Sequence, residues 1–222
     1  MNDVIIAPSV LSADPSHLAD DVARVLEGGA DWLHVDVMDG HFVPNLTFGA
    51  AMIGALRKLT AVPLDVHLMV EEPERYIEPF AEVGATILTF HPEATTHVHR
   101  QLESIKTAGM DAGLALNPGT PLSYAGEVVA DIDLLLIMSV NPGYAGQTYI
   151  PATNQKLARA RRLLDEYGSE ARLEVDGGIA RDTIGDAFAA GADTFVAGSA
   201  VFGASDPANE VPELRRRCMA EV

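Results

Sequence analysis

Short β-branched runs alternate with longer amphipathic segments along the whole chain, and this alternation restricts the fold more than any other feature. Strands are expected at Val4–Ser9, Trp32–Val37, Leu64–Leu68, Thr86–Phe90, Ala112–Leu116, Leu134–Val140, Arg172–Val175 and Thr194–Ala197. Helices are expected over Pro15–Glu27, around Ala50–Leu59, from Pro73, over Thr95–Ala108, from Pro121, within Pro151–Tyr167, over Arg181–Ala189 and from about Pro207. A helix after each strand is the crossover that a parallel sheet requires. Eight βα units predict closure into an α/β TIM barrel, (β/α)8, filling residues 1–222 as one domain. An open doubly wound sheet would carry a glycine-rich turn after its first strand, and APSVLSAD has no glycine there.

The charge balance narrows the partners. Fifteen Lys and Arg against 32 Asp and Glu give 15 − 32 = −17, a field that repels nucleic-acid phosphates and anionic lipid. Neither a nucleic acid nor a membrane is therefore expected, and Arg215, Arg216 and Arg217 read as the charged last turn of a helix. The lone Cys218 excludes an internal disulfide and a cysteine-based zinc site. MNDVIIAPSV is too short and too acidic for a secretion signal, so a cytoplasmic location is expected.

A barrel of this kind places its active site at the C-terminal ends of its strands. Read in turn, those ends give Ser9, His34 with Asp36, His67, His91, Asn117, Asn141, Asp176 and Ser199. In HVDVMD the residues His34, Asp36 and Met38 stand two apart and share one face; the same parity groups Asp65, His67 and Met69. Any one of these taken singly is more often a hydrogen-bonded core residue or a turn former. Two histidines and two carboxylates converging on one mouth are costly to bury unless paired or holding a cation, and they form a plausible N/O site for a divalent metal. Met38, Met69 and Met138 read as a soft apolar lining over it.

Glycine-rich segments follow the last three strands: NPGYAGQ at 141–147, DGGI at 176–179 and AGSA at 197–200. A single glycine-rich turn is weak evidence, but three at adjacent strand ends point to an anion held by backbone N–H groups. With no Lys or Arg in these loops, the amides of Gly146, Gly177, Gly178, Gly198 and Ser199 are the expected phosphate donors.

The blocks APSVLSAD (7–14), HVDVMDGHFVPNLTFG (34–49), LDVHLMV (64–70), ALNPGTP (115–121), PGYAGQ (142–147), VDGGI (175–179) and VAGSAVF (196–202) resemble ribulose-phosphate 3-epimerases. The resemblance covers nearly the whole chain in order. It implies a barrel of the ribulose-phosphate binding type that interconverts D-ribulose 5-phosphate and D-xylulose 5-phosphate in the pentose phosphate pathway. It further implies His34, Asp36, His67 and Asp176 as ligands of one divalent metal ion (zinc, iron(II), manganese or cobalt), with Asp36 and Asp176 as the catalytic acid/base pair. Ser9 matches a substrate-contacting serine, and the glycine loops match the phosphate site. The expected substrate contacts are Ser9, Met38, His67, Met69, Met138, Gly143, Tyr144, Ala145, Gly146, Gln147, Gly177, Gly178, Gly198 and Ser199. Tyr144 and Gln147 are expected on a loop that closes over the phosphosugar, and a homo-oligomer, dimer or hexamer, is expected from the same resemblance. One departure stands out: the family's usual loop reads glycine, aromatic, glycine, glycine, glutamine, and Ala145 replaces a glycine here. In that respect the loop is similar to D-allulose 6-phosphate 3-epimerases, which leaves a hexulose phosphate as the alternative substrate.

The chemistry fits these residues on its own terms. Inverting a carbon beside a ketone needs one group to remove a proton and another to return one on the opposite face, and two carboxylates suffice. A Schiff-base aldolase would need a lysine at a strand end, whereas Lys58, Lys106 and Lys156 fall on or beside helices. The remaining alternative is a sugar-phosphate-binding barrel without catalysis.

Overall fold

The computed structural model describes residues 3–220; the outermost two positions at each end of the domain expected over 1–222 lie outside them. The strands are β1 (Ile5–Pro8), β2 (Leu33–Met38), β3 (Leu64–Met69), β4 (Ile87–Phe90), β5 (Asp111–Leu116), β6 (Leu134–Met138), β7 (Arg172–Asp176) and β8 (Thr194–Ala197). All ladders are parallel, in the order β1-β8-β7-β6-β5-β4-β3-β2. The ring closes where β1 meets β2 through one parallel bridge, Ser9 to His34.

The helices are α1 (Leu18–Glu27), α2 (Ala50–Leu59), α3 (Ile77–Glu82), α4 (Val98–Thr107), α5 (Ser123–Gly126), α6 (Thr153–Glu166), α7 (Ile184–Ala189), α8 (Ser199–Phe202) and α9 (Pro207–Met219). α6 shows why such segments are helical: Thr153, Lys156, Leu157, Ala160 and Leu164 are its buried residues, at positions i, i+3, i+4, i+7 and i+11 of one stripe. Burying Leu157 and Leu164 contributes about 1.5–3 kcal/mol each. α9 begins with Pro207, and the side chain of Asp206 accepts from the Asn209 N–H as a cap.

Several boundaries differ from expectation for local reasons. α1 starts at Leu18 rather than Pro15, because the Asp14 carboxylate accepts from the Ser16 N–H and hydroxyl and holds a turn. α4 starts at Val98 rather than Thr95, since Pro92–Ala94 form a 3₁₀ turn and the Thr95 hydroxyl accepts from the His97 N–H. The short α8, unanticipated, follows Gly198 at the end of β8.

Strand parity divides the core in two. Side chains facing outward, such as Val35, Val37, Val66, Leu68, Leu114, Val175 and Phe195, pack under the helices in the main apolar layer. Inside the barrel, Ile87, Ala115, Leu134, Leu136, Met138 and Val140 form an apolar cluster on the β4–β6 side. The β2, β3 and β7 side of that interior is instead titratable: His34, Asp36, Asp65, His67 and Glu174 are all buried.

Candidate active site

Parity on three strands brings the expected ligands together. In the β2–β3 ladder His34 stands beside Asp65, Asp36 beside His67 and Met38 beside Met69, while Asp176 ends β7. Asp36 is the centre: its Oδ1 lies 3.4 Å from His34 Nε2 and 3.4 Å from His67 Nδ1, and its Oδ2 accepts from Ser9 Oγ at 2.6 Å. Asp176 Oδ2 lies 4.0 Å from His67 Nδ1. One ligand atom from each of His34, Asp36, His67 and Asp176 falls within 4.8 Å of the others.

The donor set fits a divalent cation. His34 Nε2 and His67 Nδ1 are buried without a hydrogen-bond partner, both aimed at Asp36 Oδ1, and two imidazoles with two carboxylates suit a borderline metal. Each histidine also has its other nitrogen engaged: His34 Nδ1 with Asp65 Oδ2 at 2.6 Å, and His67 Nε2 with His91 Nε2 at 2.9 Å.

The two site carboxyls part in acidity. Burial alone would raise Asp36, but the neighbouring His34 imidazole, and after it His67, outweigh burial and hold its carboxyl well below the usual range. Asp176 goes the other way, pushed up to about 6 by burial and by the Asp36 carboxylate. Burial opposes a charge on His34 too, yet the Asp65 and Asp36 carboxylates overcome it and raise its pKa well above normal.

Asp65 and Glu174 lie deeper, fully buried, and were not singled out as site residues by the sequence reading. Glu174 Oε1 is 3.8 Å from His34 Nδ1, and neither Glu174 oxygen meets a donor. Burial first, and then the Asp65 carboxylate, raise the Glu174 pKa well above normal. The signal was available: Glu174 shares the parity of Asp176 in RLEVD, as Asp65 shares that of His67.

Above this layer a cleft with about 520 Å³ of empty space, counted out to solvent, is lined by Asp36 and Asp176. Its walls include Ser9, Met38, Met69, Met138, Gly143, Tyr144, Ala145, Gly146, Gln147, Gly177, Gly178, Gly198 and Ser199. His34 and His67 sit behind Asp36 and do not line it. Met38 and Met69 pack with Val43, Leu11 and Phe42 as a separate apolar cluster. Gly177 and Gly178 have φ of 117° and 66°, and a Cβ on Gly178 would stand 2.5 Å from the Tyr149 nitrogen, so the DGGI turn admits only glycine there. Gln147 Nε2 donates to the carbonyls of Asn141 and Tyr144, closing the β6 loop on itself. Lys156 is on α6 as expected, with its ammonium donating to the Asn117 carbonyl and its pKa lowered to about 8 by burial.

Residues 5–202 match the model of the ribulose-phosphate 3 epimerase family. The chain is 52% identical over 217 residues to ribulose-phosphate 3-epimerase of Escherichia coli strain K12, covering 97% of this chain and 96% of that protein. It belongs to the ribulose-phosphate 3-epimerase family. The corresponding epimerase of Bacillus subtilis strain 168 is 49% identical over 211 residues, covering 95% of this chain and 97% of the relative. The fold extends beyond these epimerases: 3-hexulose-6-phosphate synthase from Salmonella typhimurium superposes with a TM-score of 0.69 at 17% identity, covering all of both chains. Membership of the ribulose-phosphate 3-epimerase family makes the chain an isomerase. No helix among the described residues is long and apolar enough to cross a membrane.

Proposed function

We propose that this isomerase interconverts D-ribulose 5-phosphate and D-xylulose 5-phosphate by proton transfer at C3, with Asp36 and Asp176 as the two proton-handling groups. The observation that carries the reading is their pairing: two carboxyls from different strands face one cleft and are driven to opposite acidities. Asp36, kept ionised and oriented by Ser9, accepts the C3 proton of the ribulose epimer. Asp176 returns a proton to the opposite face of the planar enediolate, and the roles exchange in reverse. A divalent cation held by His34, Asp36, His67 and Asp176 would supply Lewis-acid stabilisation of the charge developing on oxygen; zinc, iron(II), manganese and cobalt all suit the donors.

Met38, Met69 and Met138 keep water from the reacting carbon without offering a proton of their own. No lysine or arginine lines the cleft, so the phosphate rests on backbone N–H groups of Gly146, Gly177, Gly178, Gly198 and Ser199. Tyr144 and Gln147 form the part of the β6 loop that folds over the sugar.

Turnover of D-ribulose 5-phosphate and of D-allulose 6-phosphate, measured on protein loaded with zinc, manganese or iron(II) and on a chelated control, tests this reading. A large preference for the pentulose with metal-dependent activity is expected. Preference for the hexulose would move the substrate assignment to the Ala145 loop. Full activity after verified metal removal would overturn the role of the cation, and inactivity on both sugars would favour a binding protein.

A further inference from the structure

The two proposed metal-binding histidines are braced differently. Behind His34 lies a carboxylate, Asp65, with Nδ1 and Oδ2 2.6 Å apart. Behind His67 lies a second imidazole: Nε2 of His67 faces Nε2 of His91 at 2.9 Å, with the two ring centres 5.0 Å apart. His91 directly follows β4 and is fully buried, and the Phe42 ring packs against it at 4.9 Å between centres. No charge is needed for this contact, but tautomers are, because one of the two facing nitrogens must carry hydrogen and the other a lone pair.

We propose that His91 is a positioning residue that fixes the tautomer of His67. The inference rests on the reading of His67 Nδ1 as a metal-binding atom. A coordinating nitrogen must offer its lone pair, so His67 carries its hydrogen on Nε2 and donates it to His91 Nε2. His91 then carries its own hydrogen on Nδ1. That atom has no hydrogen-bond partner and lies 3.7 Å from Glu93 Oε2. Glu93 is itself held by two donors, Asn117 Nδ2 at 2.9 Å and the Thr120 hydroxyl. The row runs from Asp36 through His67 to His91, and its one hydrogen bond, from His67 Nε2 to the lone pair on His91 Nε2, is what holds the His67 hydrogen on the side away from Asp36. Only in this tautomer does His67 present a lone pair toward Asp36 Oδ1 and the cation; in the other, an N–H would point there and exclude it.

The test uses Co²⁺ as probe. In the metal-free wild type, long-range ¹H–¹⁵N correlation should show His67 protonated at Nε2 and bare at Nδ1. Chelator competition should show a His91→Phe variant binding Co²⁺ about 10–100-fold more weakly, with an altered visible spectrum. His91→Gln, which offers a carbonyl acceptor to His67 Nε2, should recover part of the loss. A wild-type His67 carrying hydrogen on Nδ1, or a His91→Phe variant with unchanged Co²⁺ affinity and spectrum, would overturn the inference. The wild-type spectrum decides the point even if the variants fail to fold. A wild type that binds no Co²⁺ would instead remove the metal reading on which the inference stands.

Discussion

The two halves of the barrel interior are built on the same strand geometry and filled with opposite chemistry. On the β4–β6 side the inward positions are mostly apolar, Ile87, Ala115, Leu134, Leu136 and Met138, with Thr89 beside His67 as a polar exception. On the β2, β3 and β7 side they are His34, Asp36, Asp65, His67, Glu174 and Asp176. Leu136 and Glu174 are direct ladder partners, so the boundary between the halves runs between two adjacent strands. The apolar half lowers the free energy of folding simply by being buried, whereas the titratable half costs desolvation that its pairings offset only in part. Orphaned atoms on His34, Asp65, His67 and Glu174 mark that cost. The barrel is therefore stabilised on one side and kept reactive on the other.

The largest expected effect separates the halves by activity. Asp36→Asn and Asp176→Asn should each lower kcat by about 10²–10⁴-fold while the protein stays folded, since each removes a proton-transfer group; steady-state kinetics with circular dichroism checks this. On the opposite side, Leu136→Ala should cost about 2–5 kcal/mol in denaturant unfolding through the cavity it leaves. Glu174→Gln should show that the polar half works against stability. The wild-type Glu174 pKa is raised in the fold, so its stabilising contribution is complete below the unfolded value and is lost as pH rises toward the folded one. The stability of the glutamine variant relative to wild type, both metal-free, should accordingly improve between pH 5 and pH 8. The smallest effect is expected for Ser9→Ala, which removes one donor from Asp36 and should reduce kcat by about tenfold.

The outward half of each strand and the general course of the barrel were readable in the alternation, because a period of two on the strands and of about 3.6 on the helices survives in a single sequence. The convergence of His34, Asp36, His67 and Asp176 was readable for the same reason, since strand parity puts them on one face, although His34 stands near the start of β2 and not at its end. Asp65 and Glu174 were harder, since a carboxylate one layer below the mouth is unremarkable until the ladder shows it against His34. His91 stood out only as a polar strand end; its contact with His67 depends on the neighbouring strand's register and on both rotamers. α8 was invisible because four residues are too few to display a helical period. The late start of α1 reflects a side-chain turn at Asp14 that competes with the helix.

The proposed mechanism has Asp36 and Asp176 serve opposite faces of one carbon. It is tested most directly by following solvent deuterium into C3 with metal-loaded Asp176→Asn. The variant should exchange the C3 hydrogen of D-ribulose 5-phosphate without forming D-xylulose 5-phosphate, because Asp36 can still remove and return a proton on its own face. Exchange into the xylulose epimer alone, or continued epimerisation at the wild-type rate, would contradict the assignment.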